Sequence, residues 1–334
     1  MDRRGRMGKI FLFIFLISLF AVFAGGPCNA KEVKLRLAHH FALKDTWSIA
    51  AEEFAKLVEQ KSKGETVIKV FGGGQLGAER DYLEGLQLGT IDLAISGPGV
   101  MTNFDPLIGI FDLPFLYKNY VHANNVMDGP VGARVFESYA NNARIKILAS
   151  AGQGFRYVLT KKAVIKSIED IKGVKIRTPE APTFVRTFQL IGANPTPVSW
   201  TEVYSALEAG VVDGMEGTPE IILTHRFHEL AKNCARTRHI MATLQLIISM
   251  KTWNSLSPEH QKIVAEAANE IWRNNQRNTA EQGNVNAEKK LMDLGVKFTD
   301  PDSEPFRKAV HPFWAEWGKK YNVMDIVDQA NAMK

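Results

Sequence analysis

Arg177 closes the run Gly173-Val174-Lys175-Ile176 and is followed by Thr178-Pro179, which puts a guanidinium at the end of a strand. Its planar fork of N–H donors fits a carboxylate bidentately. Arg156, in Gly154-Phe155-Arg156-Tyr157, is placed the same way on another strand, and two such arginines on adjacent strands would make an anion pocket. An arginine at a strand end is more often solvated or structurally paired, so neither carries the point alone. Asp213-Gly214-Met215-Glu216-Gly217-Thr218-Pro219 reads as a turn-rich loop after an apolar strand. Its two acids would orient Arg177 from behind, and a plain acidic turn is an equally good reading.

Other spacings fit worse. Gly72-Gly73-Gly74-Gln75-Leu76-Gly77 matches G-x-G-x-x-G after a strand and before a helix, the setting a dinucleotide site demands. The match uses three consecutive glycines, and Asp92 lies at the start of its strand instead of the end where a ribose-binding acid belongs, so a glycine-rich turn is the better reading. His228-Glu229-Leu230-Ala231-Lys232 has Lys232 where H-E-x-x-H needs its second zinc ligand, and His225 and His228 suit a helix surface better than a metal. There is no G-x-S-x-G elbow, and Cys234 has no neighbouring acid–base pattern. Neither catalysis nor a cofactor is expected. The rival classes are an exported nicotinamide-dinucleotide oxidoreductase and a metal-uptake binding protein.

Strands and helices must position these groups. Val33, Leu35 and Leu37 alternate with Lys34 and Arg36 in a strand that runs into His39 and His40. Trp47, Ala50, Ala51, Phe54, Leu57 and Val58 recur at helical spacing up to Gly64. Thr66–Phe71 reads as a strand, Ala78–Leu88 as a helix stopped by Gly89, and Ile91–Ile95 as a buried strand, with Ser96-Gly97-Pro98-Gly99 at its end. Such alternation predicts a mainly parallel sheet covered by helices, with a ligand crevice at the carboxyl ends of its strands. A second α/β series runs through Ile145–Ser150, Phe155–Leu159 and Val174–Arg177, with helices at Thr183–Leu190 and Glu202–Glu208. The polar, helix-favouring run Glu259–Leu294 is long enough to be shared by two lobes.

The chain of 334 residues opens with Arg3, Arg4, Arg6 and Lys9 before the uncharged run Ile10–Ala24, shorter than the ~20 residues of a spanning helix. Cys28-Asn29-Ala30 offers small residues for processing, so 1–30 is expected to be a signal peptide cleaved after Ala30 and the protein periplasmic. Pro27 fits lipidation of Cys28 poorly. Removing four basic and one acidic residue from 41 and 36 lowers the net charge from +5 to +2, so no nucleic-acid partner is expected. With Cys234 alone after processing, no intramolecular disulfide can form, and some 304 residues exceed one core. The lobes are expected at 31–152 plus about 243–282, and 153–242 plus about 283–334.

The chain resembles the DctP-type extracytoplasmic receptors of TRAP transporters. The likeness rests on Gly74-Gln75-Leu76-Gly77-Ala78-Glu79-Arg80, Leu113-Pro114-Phe115-Leu116, Ile171-Lys172-Gly173-Val174-Lys175-Ile176-Arg177, and Trp200-Thr201-Glu202-Val203-Tyr204-Ser205-Ala206-Leu207 running on through Gly210-Val211-Val212-Asp213-Gly214-Met215-Glu216. The resemblance implies a two-lobed α/β binding protein with a cleft, a long helix crossing both lobes, and closure on a ligand. It implies that Arg177 pairs with the ligand carboxylate, that Arg156 matches a less universal second arginine, that Trp200 packs on the ligand, and that Glu216 neighbours the key arginine. Its sialic-acid receptors place an asparagine where this chain has Gly217 and an acid where it has Gly97, which turns the expectation toward a C4-dicarboxylate, a sugar acid or another organic acid. His39 and Glu79 are the candidates for hydroxyl contacts. The implied partners are the TRAP membrane subunits, and a monomer is expected.

Overall fold

Asp45 caps the first helix by accepting from Trp47 N at 2.9 Å, and the stripe Trp47, Ala50, Ala51, Phe54 and Val58 of α1 (Thr46–Lys61) is buried as its spacing requires. The computed structural model describes residues 32–333; the expected signal segment and its cleavage point lie outside them. No helix among the described residues is long and apolar enough to cross a membrane.

β1 (Val33–Ala38) and β2 (Thr66–Phe71) flank α1, and α2 (Glu79–Leu88) leads into β3 (Leu93–Ser96). β4 (Ile145–Phe155) and β10 (Met241–Ser249) complete a five-stranded sheet of order β2-β1-β3-β10-β4. β1 and β3 are parallel, while β10 runs against β3 and β4. Helices α3 (Tyr120–Asp128) and α4 (Pro130–Asn142) pack on β4.

The second sheet comprises β5 (Tyr157–Thr160), β6 (Lys175–Thr178), β7 (Asn194–Pro197), β8 (Gly214–Gly217), β9 (Asn233–Ala235) and β11 (Lys297–Thr299), in the order β11-β9-β5-β8-β6-β7. Only β5 runs against its neighbours, so this sheet too is mainly parallel. Helix α5 (Pro182–Leu190) connects β6 to β7. The chain steps directly from one sheet to the other at Arg156 and, beside it, at 236–240. There Arg156 N donates to Ile240 O at 2.9 Å, and Phe115 N to His239 O at 2.8 Å.

A continuous helical rod spans both sheets. α6 (Pro219–Thr224) follows β8, and the rod itself is α7 (Pro258–Ala268), a π-helical stretch Asn269–Gln276 and α8 (Arg277–Asp293). α7 packs on α1, and α8 packs on β4 and α6. Asn284 ties the rod to both sides, donating to Gln153 O at 2.7 Å and accepting from Glu220 N at 3.2 Å.

The sequence reading needs correction at four places. β4 belongs to the first sheet, where it pairs antiparallel with β10, and not to the second series; a run buried along most of its length does not name its partner. The run 155–159 is broken at Arg156, where the chain changes sheets. Asp213–Pro219 is no loop: its centre is the buried strand β8, and β5 and β6 hold it in place despite two glycines in four residues. The C-terminal segment is divided: α9 (Ser303–Lys320) starts against the second sheet through Phe306 and Val310, whereas α10 (Met324–Ala332) buries Ile326, Val327 and Ala330 with the core of α3 and α4. An amphipathic helix declares an apolar face, but not what will cover it.

Candidate functional site

The reversed direction of β5 builds the site. Because β5 is antiparallel to β8 and β8 is parallel to β6, the start of β5 and the end of β6 lie at one edge of the sheet, with β8 between them. Arg156 and Arg177 are therefore gathered at one end, on strands that are not adjacent, and Glu216 of β8 stands between them.

The two arginines have different surroundings. Arg156 forks Glu216: Nη2 donates to Oε1 at 2.7 Å, Nε donates to Oε2, and Nη2 also reaches the Glu216 carbonyl at 3.1 Å. Burial alone would raise the Glu216 carboxyl, but the charge and hydrogen bonds of Arg156 hold it down to about 2. Glu216 was expected to orient Arg177; it neutralises Arg156 instead, and its Oε2 also lies 3.4 Å from His239 Nε2. Asp213 is farther off, accepting from Lys175 N at 3.1 Å at the opposite end of β6.

Arg177 is 2 % exposed, and among the described residues no carboxylate lies within ion-pair distance of it. Nε and Nη2 donate to Val198 O at 3.0 and 2.7 Å, and the guanidinium sits 5.4 Å from the centre of the Trp200 ring. Burial pushes its pKa down to about 10, with Glu216 pulling against that shift and Arg156 adding to it. A buried cation without an anion is costly, and it marks the place where an anion would be welcome.

Both arginines line one cavity, together with Trp200, Glu79, His40 and Asp112. Glu79, at the start of α2, accepts from Ser96 Oγ at 2.6 Å and from Gly97 N at 3.1 Å, and burial raises its pKa. The Tyr82 hydroxyl gives its only proton to Ile95 O at 3.0 Å, so His40 Nδ1, also 3.0 Å away, must be the donor of that pair. Burial, then Arg177 and Arg156, push His40 down to about 3, so the ring is neutral and keeps Nε2 as an acceptor.

His39 is not in the cavity. Its Nε2 lies 3.4 Å from Ser48 Oγ, and its ring packs so closely on Gly72 that a Cβ there would come within 2.6 Å. Side chains beyond β1 still alternate, so choosing His39 sent the contact to the wrong face; His40 is the residue that points inward. Sequence reasoning also missed Asp112 and Gln153, both in the cavity wall. Asp112 directly precedes Leu113-Pro114-Phe115-Leu116, and that adjacency is its one signal in the sequence.

The glycine run is a turn: Gly73 and Gly74 have φ of +63° and +77°, conformations that favour glycine. The first amide of the following helix is taken by Asp81, which accepts from Ala78 N at 2.8 Å and sets an acid where a pyrophosphate would have to sit. His225 packs edge-on against Trp200 at 4.9 Å, and among the described residues no three His, Cys, Asp or Glu side chains form a metal-sized group.

The profile of the family described as bacterial extracellular solute-binding protein, family 7, matches residues 37–320. The 2,3-diketo-L-gulonate-binding periplasmic protein YiaO of Escherichia coli K12 is 31% identical over 299 residues, 89% of this chain and 90% of YiaO. A TRAP periplasmic solute-binding protein from Polaromonas sp. JS666, bound to D-erythronate, superposes with a TM-score of 0.87 at 30% identity, covering 91% of this chain and 99% of that one. Another, from Pseudomonas putida F1 with bound D-glucuronate, gives 0.86 at 29% identity, covering 90% and 98%.

Proposed function

Because this chain belongs to the family 7 bacterial extracellular solute-binding proteins, the solute receptors of TRAP transporters, we propose that it captures a small organic acid in the cavity between its two sheets and seats the carboxylate on Arg177. The observation that carries this is a guanidinium 2 % exposed with no carboxylate of its own. Trp200 would hold the arginine's plane from one side and pack on the ligand, while Arg156, already balanced by Glu216, would add direction without a second free charge. Glu79 and the acceptor nitrogen of His40 would take hydroxyl groups. In this reading the protein works in the periplasm as a monomer and delivers the acid to a membrane permease without breaking a bond.

Closure follows the same geometry. The ligand would touch Arg177 and Trp200 on one side and Glu79 and His40 on the other, and only contacts made better in the closed form can shift the balance toward it. We place the lobes at 31–152 plus about 243–282, and 153–242 plus about 283–334 with α10 docked back on the first. The crossings at Arg156 and 236–240 would serve as the hinge.

A thermal-shift screen of residues 31–334 against aldonates, uronates, dicarboxylates, keto acids, dinucleotides and zinc tests the reading. A ligand at a hundredfold excess over its dissociation constant adds about 2.7 kcal/mol. The expected result is a shift with one class of acid that disappears in Arg177→Ala. A shift with dinucleotide or zinc alone would defeat the proposal.

A further inference from the structure

Two buried acids outside the ligand cavity face each other from opposite lobes. Asp45, just before α1 in the first lobe, is fully buried, and Glu220, on α6 in the second, is 6 % exposed. They meet at the start of α1. Asp45 Oδ1 accepts from Trp47 N at 2.9 Å, and its Oδ2 accepts across the lobes from Thr224 Oγ1 at 3.2 Å. Glu220 crosses the other way to accept from the Thr46 amide, so the first two amides of α1 are taken by two carboxyl groups, one from each lobe. Glu220 Oε2 is buried without a hydrogen-bond partner, and among the described residues no cation lies within ion-pair distance of either acid. Two carboxyl groups buried together without a cation do not both stay charged.

We propose that Asp45 and Glu220 are a latch between the lobes: closure traps one proton on the pair, so the receptor takes up a proton as it captures its acid. This rests on the lobes and the Arg177 anchor as placed above. Neither acid touches the ligand; both are positioning residues that act through the contact between lobes. Their surroundings supply no compensating charge. On α6, His225 Nε2 takes Ala42 N at 3.4 Å, and burial with His40 nearby lowers its ring to about 4, so it is neutral. His39 is lowered to about 4 by burial and His40, and Lys44 is exposed. Burial, then Glu281, push the Tyr120 hydroxyl near Glu220 upward, so it keeps its proton. The π-helical stretch sets Trp272 against Trp47 at 5.6 Å, while its Glu270 pairs with Lys61 at the far end of α1. His260 of α7 pairs with Glu65 ahead of β2. Burial, with Glu220 adding and the hydrogen bonds of Trp47 and Thr224 opposing, raises Asp45 to about 7, and burial raises Glu220. Parting the lobes wets Asp45 and returns it toward 3.8, so closure binds a proton between about pH 4 and pH 7 and stops doing so above. His39, His40 and His225 work in the opposite sense, releasing protons on closure, and that release is common to wild type and to variants of the pair.

The test is calorimetric titration of wild type, Asp45→Asn, Glu220→Gln and Arg177→Ala with D-erythronate, D-glucuronate and succinate at pH 6 and pH 8, in two buffers of different ionisation enthalpy, which counts the protons taken up on binding. Asp45→Asn keeps the helix cap and leaves the latch uncharged at every pH. Wild type should take up about 0.9 proton more than Asp45→Asn at pH 6 and about 0.1 more at pH 8, from the values of about 7 closed and 3.8 open. The affinity of Asp45→Asn relative to wild type should accordingly be about tenfold higher at pH 8 than at pH 6. Glu220→Gln, on the other lobe, should move both readings in the same direction by less. A purely structural pair would change melting temperatures and leave the proton count and the pH profile as in wild type, which overturns the latch. If acids bind and are lost in Arg177→Ala while the proton counts agree, the latch alone fails; if no acid binds wild type, the anchor reading fails and the latch with it.

Discussion

Replacing Arg177 by methionine should make the unliganded protein close more readily and, at the same time, remove its response to acids. The guanidinium is 2 % exposed in the cavity, and burial holds it at about 10 against an ordinary 12.5. At 1.36 kcal/mol per pH unit, that gap puts the cost of the lone charge at about 3 kcal/mol. Methionine fills similar space without charge, and the hydrogen bonds to Val198 O and the contact with Trp200 that it forfeits lie within the same lobe as Arg177, so they are lost from open and closed forms alike. The full cost of about 3 kcal/mol therefore favours closure, a factor on the order of 100. Single-molecule energy transfer between dyes at exposed Lys63 and Lys162, one beside each sheet, reads the closed fraction directly. The variant should show a larger closed fraction than wild type without ligand, and no change when acid is added. A variant as open as wild type, or one that still closes on acids, would refute the claim that the charge of Arg177 holds the cavity open for its ligand.

Other perturbations follow from the same contacts. Glu216→Gln leaves Arg156 buried without its counter-charge and should cost about 3–5 kcal/mol in urea unfolding, while the newly freed guanidinium improves binding of succinate relative to wild type. Trp200→Ala removes the ring beside Arg177 and should weaken acid binding about tenfold by calorimetry. Asp45 is fully buried, and burial together with nearby Glu220 raises its carboxyl to about 7 from 3.8. The folded protein thus holds a proton that the unfolded chain has released, so stability falls as pH rises from about 4 to about 7 and stays lower above that. Asp45→Asn keeps a good helix cap and removes the penalty, so it should melt above wild type at pH 8 and by a smaller margin at pH 5.

Much of the fold was legible because its signals are local. The stripe of α1, the stop of α2 at Gly89 and the long rod through 258–293 are written in spacing and capping residues. What stayed hidden depends on partners distant in sequence. Nothing in Gly214-Met215-Glu216-Gly217 suggests a central strand; β5 and β6 impose it. The same strand order decides which arginine Glu216 meets: it lies between both and forks Arg156, leaving Arg177 free. His39 and His40 differ only in the phase of one strand, and Asp112 is unremarkable until burial strips it of water. The arginines themselves could be read early, because a guanidinium at a strand end carries its chemistry with it.

A crystal structure of the protein with the acid that gives the largest thermal shift tests the central claim most directly. The account predicts a ligand carboxylate within hydrogen-bond distance of the Arg177 guanidinium, Trp200 against the ligand, and Glu216 still on Arg156. A carboxylate seated elsewhere, with Arg177 still bonded only to Val198 O, would contradict it.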